Sequence, residues 1–266
     1  MIAIVVLTHN RVHLLRQCVE NVLGRTSDRT SEIVIWNNGS TDGTQSYLEE
    51  LDDPRIQAVH HPRNTGQNAY AEAFRLTTAP FMIELDDDMI DAPSDWDKSL
   101  LEAYERLPNV GFLAARLVDN PHDQTSQAMY RDRPHLYYTK EINGVSLLVG
   151  GPVGGTCAMT ARELHNRVGG FRQHSKRVFW LEDEAYIRDI EKLGYEAAYL
   201  RDLEMLHAGG THYAAESEAK SQFWSDYARR QQRKTAVKRF LLRLPFVRRL
   251  NARFGWFQPP DTRGRS

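Results

Sequence analysis

Residues 81–90 read FMIELDDDMI. Phe81, Met82, Ile83, Glu84 and Leu85 have the composition of a strand crossing an interior, and Asp86, Asp87 and Asp88 follow without a spacer. Three adjacent carboxylates repel one another, so the triplet needs something to offset its charge. Two explanations fit the residues. One is an acidic turn leading into a helix near residue 94. The other is a hard divalent cation, because Mg2+ or Mn2+ is typically held by one or two protein carboxylates, with phosphate oxygens completing the shell.

The segments on either side decide the fold. IAIVVL (2–7) is a continuous β-branched apolar run, the pattern of a strand buried on both faces. Leu14, Leu15, Cys18, Val19, Val22 and Leu23 then recur at helical spacing. EIVIW (32–36) is a second strand, closed by the turn-rich NNGSTDGT (37–44), with Thr44 placed to cap a helix carrying Tyr47, Leu48 and Leu51. IQAV (56–59) reads as a third strand and GQNAYAEAFRLT as a helix. SDWD (94–97) reads as a capping box opening the helix WDKSLLEAYERL, and VGFLAA (110–115) as a further strand. Strand and helix alternate through residue 115. That predicts an α/β fold with a Rossmann-like, mostly parallel sheet flanked by helices, and ligands at the carboxyl ends of the strands. Residues 116–143 are polar, without a clean period, and read as a flap. Residues 145–171 read as strand, glycine-rich loop, short strand and helix, with a Thr160–Glu163 capping box and a stop at Gly169. Residues 182–200 read as helix, glycine turn and strand.

The chain has 266 residues, 41% of them apolar, enough for a sizeable core in one large domain or two small ones. No run of about 18 apolar residues occurs, so no membrane-crossing helix is expected. MIAIVVLTHN opens with an apolar strand and no basic region ahead of it, unlike a secretory signal. Cys18 and Cys157 lack metal-type spacing and read as core thiols of a reducing compartment, which points to the cytoplasm. The net charge of −1 hides an asymmetry: from Tyr227 onward there are 12 Lys/Arg and one acid, Asp261, whereas the body carries 22 basic and 34 acidic residues. AVKRFLLRLPFVRRLNARFGWF interleaves Val237, Phe240, Leu241, Leu244, Val247, Leu250 and Phe254 with basic residues, and Pro245 breaks any helix there. With Trp256 and Phe257 as anchors, this basic helical tail suits a peripheral position on the inner face of a membrane. Packing on the domain or on another chain is the second reading, and nucleic acid the least favoured.

Taken in order, VVLTHNR, IWNNGSTDGT, HPRNTGQNAYAEAF, IELDDDM and FWLEDEAYIRDIEKLGYEAAYL resemble the family 2 glycosyltransferases of the GT-A fold over about residues 1–210. The resemblance implies transfer of a sugar from a nucleotide-diphosphate sugar, a UDP-sugar by preference, to a hydroxyl of a glycan or lipid-linked acceptor. It implies inversion at the anomeric carbon and Mn2+ or Mg2+ as cofactor, and a basic tail on a membrane adds a place in surface-glycan or glycolipid assembly. It divides the chain into a GT-A domain at 1–215 and a basic amphipathic segment at 216–266. Within the domain, 1–115 is the nucleotide-binding half and 116–215 the acceptor-binding half.

Residue by residue, the resemblance places Thr8, Asn10, Asn38, Arg63 and Asn64 around the nucleotide. Asn38 stands where the family often has an aspartate that reads uracil, and an amide offers both donor and acceptor. Asp86 and Asp88 match the ends of the D-x-D signature, with Asp88 on the metal, Asp86 toward metal and nucleotide, and Asp87 toward the ribose. His207 matches a third metal ligand found in part of the family; a satisfied structural histidine is the alternative. Asp183, in the E-D pair at a helix start, matches the base that takes the acceptor proton. A run of acids there also suits the helix macrodipole. Gly155, Trp180 and Glu182 fall around the sugar and acceptor pocket, and Trp180 reads equally as a core aromatic.

Two other functions compete. A sugar-nucleotide pyrophosphorylase shares a similar scaffold, but its G-G-x-G-T-R after the first strand is replaced here by THNRVHLL. A non-catalytic nucleotide-sugar-binding scaffold would have no use for Asp86, Asp88 and Asp183 together.

Overall fold

The computed structural model describes residues 1–118, 134–171, 182–208, 218–247 and 251. At its centre lies β1 (Ile2–Thr8), buried along its whole length. Ile4 and Val6 belong to one hydrophobic cluster, and Val5 and Leu7 to another on the opposite face. An unbroken apolar run is what a strand covered on both faces requires. β1 pairs in parallel with β2 (Thr30–Asn38) and β4 (Phe81–Asp86), and β2 with β3 (Ile56–His61). β6 (Val110–Val118) is parallel to β10 (Glu196–His207). The glycine-rich region adds β9 (Cys157–Ala161), inserted antiparallel between β4 and β6.

The remaining strands are β5 (Met89–Asp91), β7 (Tyr138–Ile142) and β8 (Val145–Val149). The sheet order is β3-β2-β1-β4-β9-β6-β10-β8-β7, with β5 pairing β10. Residues of α1 (Val12–Asn21), α2 (Thr44–Glu49) and α4 (Trp96–Glu105) pack into the core on one face. α3 (Ala69–Ala73), α5 (Arg162–Val168) and α6 (Glu182–Glu191) supply the other. The expected mostly parallel sheet flanked by helices is present.

Four local expectations differ. Residues 116–143 are not all flap: β6 runs to Val118, and β7 and β8 form a hairpin. Its turn, Asn143–Gly144, has φ of 49° and 72°, the paired left-handed geometry that matches the twist of two-residue hairpins. GQNAYAEAFRLT is not one helix but a 3-10 turn, the short α3 and a second 3-10 turn. Neither capping box forms: no side-chain cap bond closes α4 or α5. Thr160 is held inside β9, and Asp97 turns inward to Ser27 and Thr30. Thr44 is the first residue of α2 rather than its cap, and its hydroxyl donates to Asp42. The predicted stop at Gly169 is present, with φ of 84°.

Cys18 and Cys157 are free and buried. The chain divides into two compact units, Met1–Glu216 and Ser217–Ser266. The second contains α7 (Glu218–Arg243), which ends ahead of Pro245 and leaves Val237 and Phe240 exposed. Among the described residues no helix is long and apolar enough to cross a membrane.

Candidate active site

The carboxyl end of β4 opens the site. Glu84 and Asp86 alternate onto one face of the strand, and the turn into β5 carries Asp87 and Asp88, which are 0% and 1% exposed. The charge of the triplet is offset from within the chain. Arg11, in the turn after β1, pairs with Asp87 and places Nη1 3.0 Å from Asp88 Oδ2. The acidic-turn explanation and the metal explanation therefore share a partner that neither had named. Burial pushes Asp86 and Asp87 above the usual carboxylate range, while the Arg11 guanidinium pulls both down.

His207 closes the site from the far end of the domain sequence. β5 pairs antiparallel with the end of β10, setting His207 opposite Met89, and the Ala208 N–H donates to the Asp88 carbonyl at 2.9 Å. His207 Nε2 then lies 3.2 Å from Asp88 Oδ1, on the opposite side of the carboxylate from Arg11. Ligand atoms of Asp86, Asp88 and His207 all lie within 4.8 Å of one another. With bonds of about 2.1 Å, an octahedral ion sets its ligands about 3 to 4.2 Å apart, so a small contraction closes this set. Two carboxylates suit Mn2+ or Mg2+, and the imidazole favours Mn2+ over Mg2+.

The proposed nucleotide residues cluster at the ends of β1 and β2. Thr8 is 1% exposed, with its hydroxyl against Asp87, which it lowers. The Asn10 side chain accepts from the Thr41 N–H at 2.7 Å, tying the turn after β1 to the loop after β2. Asn38 uses both ends of its amide internally: Nδ2 donates to Asn64 Oδ1 and the Gly66 carbonyl, and Oδ1 accepts from the Thr65 N–H and hydroxyl. What Asn38 supplies is a shaped loop rather than a spare donor. Arg63 and Asn64 belong to that loop. A Cβ on Gly39 would stand 2.6 Å from the Arg63 carbonyl carbon, so only glycine allows the two loops to meet.

Asp183 lies at the start of α6. Its Oδ2 accepts from the Gly155 N–H at 3.1 Å, and its Oδ1 from the Glu184 N–H at 2.7 Å. Burial raises its pKa, opposed by these two bonds. The neighbouring residue, Thr156, accepts through its carbonyl from the Asp86 N–H at 2.8 Å. Consecutive residues of one loop thus bond to Asp183 and to Asp86. Glu182 is buried beside them. Trp180 lies outside the described residues.

Three residues of the site escaped the sequence reading. Arg11 was visible only as the last letter of THNR. The Tyr70 hydroxyl lies 3.4 Å from Asp86 Oδ1, but Tyr70 reads as a helix core residue. Glu84 is a carboxylate in an otherwise apolar strand, and that incongruity is a signal the strand reading passed over.

Proteins of known structure share this fold. A mannosyltransferase of Pyrobaculum calidifontis, PcManGT, solved with GDP-Man and Mn2+, is 23% identical with a TM-score of 0.57 over 79% of this chain and 57% of its own. TarS of S. aureus (residues 1–349, solved with UDP-GlcNAc) is 14% identical with a TM-score of 0.61 over 81% of this chain and 61% of its own. At such identities the likeness is one of fold. The protein y4gI of Sinorhizobium fredii, itself uncharacterized, is 23% identical over 224 residues, 78% of this chain but 24% of its own length. The chain thus spans about three fifths of these two solved relatives and a quarter of the curated one. The family described as glycosyl transferase family 2 matches residues 3–169, more than half of the sequence. The chain belongs to glycosyl transferase family 2.

Proposed function

We propose that the protein transfers a sugar from a nucleotide-diphosphate sugar to an acceptor hydroxyl, with inversion. The observation that carries this reading is the shared loop: Asp86, grouped with Asp88 and His207, and Asp183 are joined through Gly155 and Thr156. Mn2+ or Mg2+, held by Asp86, Asp88 and His207, would supply Lewis-acid stabilisation of the leaving diphosphate. Thr8, Asn10, Asn38 and the Arg63–Asn64 loop cradle the nucleoside, with Asp87 toward the ribose. Asp183 takes the acceptor proton. Its burial makes it a stronger base than an exposed aspartate, and its two backbone bonds fix its aim. Attack from the Asp183 side, opposite the diphosphate, inverts the anomeric carbon. Uridine is the preferred base.

A panel of UDP- and GDP-sugars with Mn2+, scored by released nucleotide, tests the reaction. Asp88→Ala should abolish the stabilisation that nucleotide plus Mn2+ gives the wild type. If neither UDP nor GDP raises the melting temperature with Mn2+, the reading fails.

The domain of residues 1–215 carries the chemistry in this proposal, and the segment 216–266 docks it on an anionic membrane surface where a lipid-linked or surface-glycan acceptor resides. α7 supports this with eight Lys/Arg against two acids. Co-sedimentation with phosphatidylglycerol vesicles but not phosphatidylcholine vesicles is the expected result. Equal recovery from both would remove the membrane role.

A further inference from the structure

Glu84 has no task in the scheme above. It sits mid-strand in β4, opposite Val5 on β1 and Ala158 on β9, and is 3% exposed. Its Oε2 has no hydrogen-bond partner among the described residues. An unmade bond on a buried acceptor is destabilising, and an apolar side chain in the same strand would avoid it. A ligand hydroxyl reaching this oxygen would satisfy it.

The position says what the partner is. Asp86 follows two residues later on the same face of β4, toward the metal end. Asp183 lies across Gly155, toward the acceptor end. A Cβ built on Gly155 would stand 3.0 Å from Glu84 Oε2 and 3.1 Å from Asp183 Cβ. Glycine at 155 is therefore what keeps a side chain out from between the two acids. Burial disfavours the charged form of Glu84, and Glu182, Asp86 and Asp183 around it act in the same direction. With the diphosphate at one end and the acceptor at the other, the group being transferred lies over Glu84.

We propose that Glu84 forms the floor of the transferred sugar's subsite, accepts a hydrogen bond from one of its hydroxyls, and confines the donor to neutral sugars by excluding uronates. This rests on the glycosyl-transfer reading. A neutral hexose offers hydroxyl donors to the buried carboxyl. A hexuronate adds a carboxylate beside Glu84, Asp86 and Asp183, where burial already disfavours the charged form of an acid. Glu84 is thus a specificity-determining residue.

The test uses the full chain with Mn2+ and two matched pairs, UDP-glucose against UDP-glucuronate and GDP-mannose against GDP-mannuronate, with free UDP and GDP as references. Affinities are read by calorimetry. In the pair whose free nucleotide binds, the neutral sugar should bind at least about tenfold more tightly than the uronate. Glu84→Gln should narrow that gap at unchanged affinity for the free nucleotide. Glu84→Leu should lose the sugar's contribution to affinity without lowering the melting temperature, because the unmade bond goes with the carboxyl. A uronate that binds as tightly as its neutral partner overturns the inference and leaves glycosyl transfer standing. So does a Glu84→Leu protein that melts lower with sugar affinity intact, which would make Glu84 a structural residue. Absence of binding by both free nucleotides overturns the glycosyl-transfer reading, and this inference with it.

Discussion

Buried carboxylates stand at both rims of the sheet, and the two groups are built differently. At the rim where β2 begins, Asp97 is 0% exposed and fully served. It accepts from the Ser27 N–H at 2.8 Å, the Ser27 hydroxyl at 2.9 Å and the Thr30 hydroxyl at 2.6 Å. Trp96 beside it donates its indole N–H to the Val22 carbonyl at 2.9 Å. At the rim where β4 ends, one oxygen of Glu84 has no partner among the described residues. Asp88 is shared between Arg11 and His207. An acid that only builds the fold is saturated by protein donors. Under the proposed function, the acids at the β4 rim keep a capacity for ligand that the fold-building Asp97 does not.

Three substitutions break or sharpen this contrast. The largest effect is expected at Asp183→Asn, where turnover should fall about a thousandfold, the usual weight of a positioned base, while Mn2+-dependent nucleotide binding persists. Retained turnover would remove Asp183 as the base. Next is Arg11→Gln, which leaves Asp87 buried without its guanidinium. In EDTA the folded state should lose about 3 kcal/mol by chemical denaturation, with part recovered on adding Mn2+ and nucleotide. A loss that Mn2+ does not reduce would show that Arg11 and the metal do not serve the same carboxylates. Smallest is Asp97→Ala, at about 2 kcal/mol for the donors it strands. That loss should be the same with and without Mn2+ and leave nucleotide affinity unchanged. A Mn2+-dependent loss would mean the two rims are coupled.

Local patterns carried much of the fold and part of the site. β1 was legible because both of its faces are buried, so every residue of the run had to be apolar. Asp86 and Asp88 were legible because a carboxylate triplet at a strand end is too costly to be ordinary. The Asn143–Gly144 hairpin was written plainly in EINGVSLL, yet it was lost inside a polar stretch read as flap. The capping boxes failed for a different reason. S-x-x-D and T-x-x-E report what the backbone can do locally, whereas Asp97 and Thr160 are claimed by long-range contacts. Asn38 ends β2 as its place in the sequence suggests, and its amide orders the loop around Arg63 and Asn64.

The amino-acid order by itself determined the alternation of strands and helices, the burial of β1, the acidic rim and the separation of a basic tail from an acidic body. These follow from periodicity, turn chemistry and charge, which act between near neighbours. Only the tertiary structure decided which groups meet. β5 pairs with β10 and brings His207 to Asp88, the turn after β1 brings Arg11 under the triplet, and one glycine-led loop spans Asp86 and Asp183 above Glu84. Such pairings are closed by the whole sheet, and no short window of residues names its distant partner.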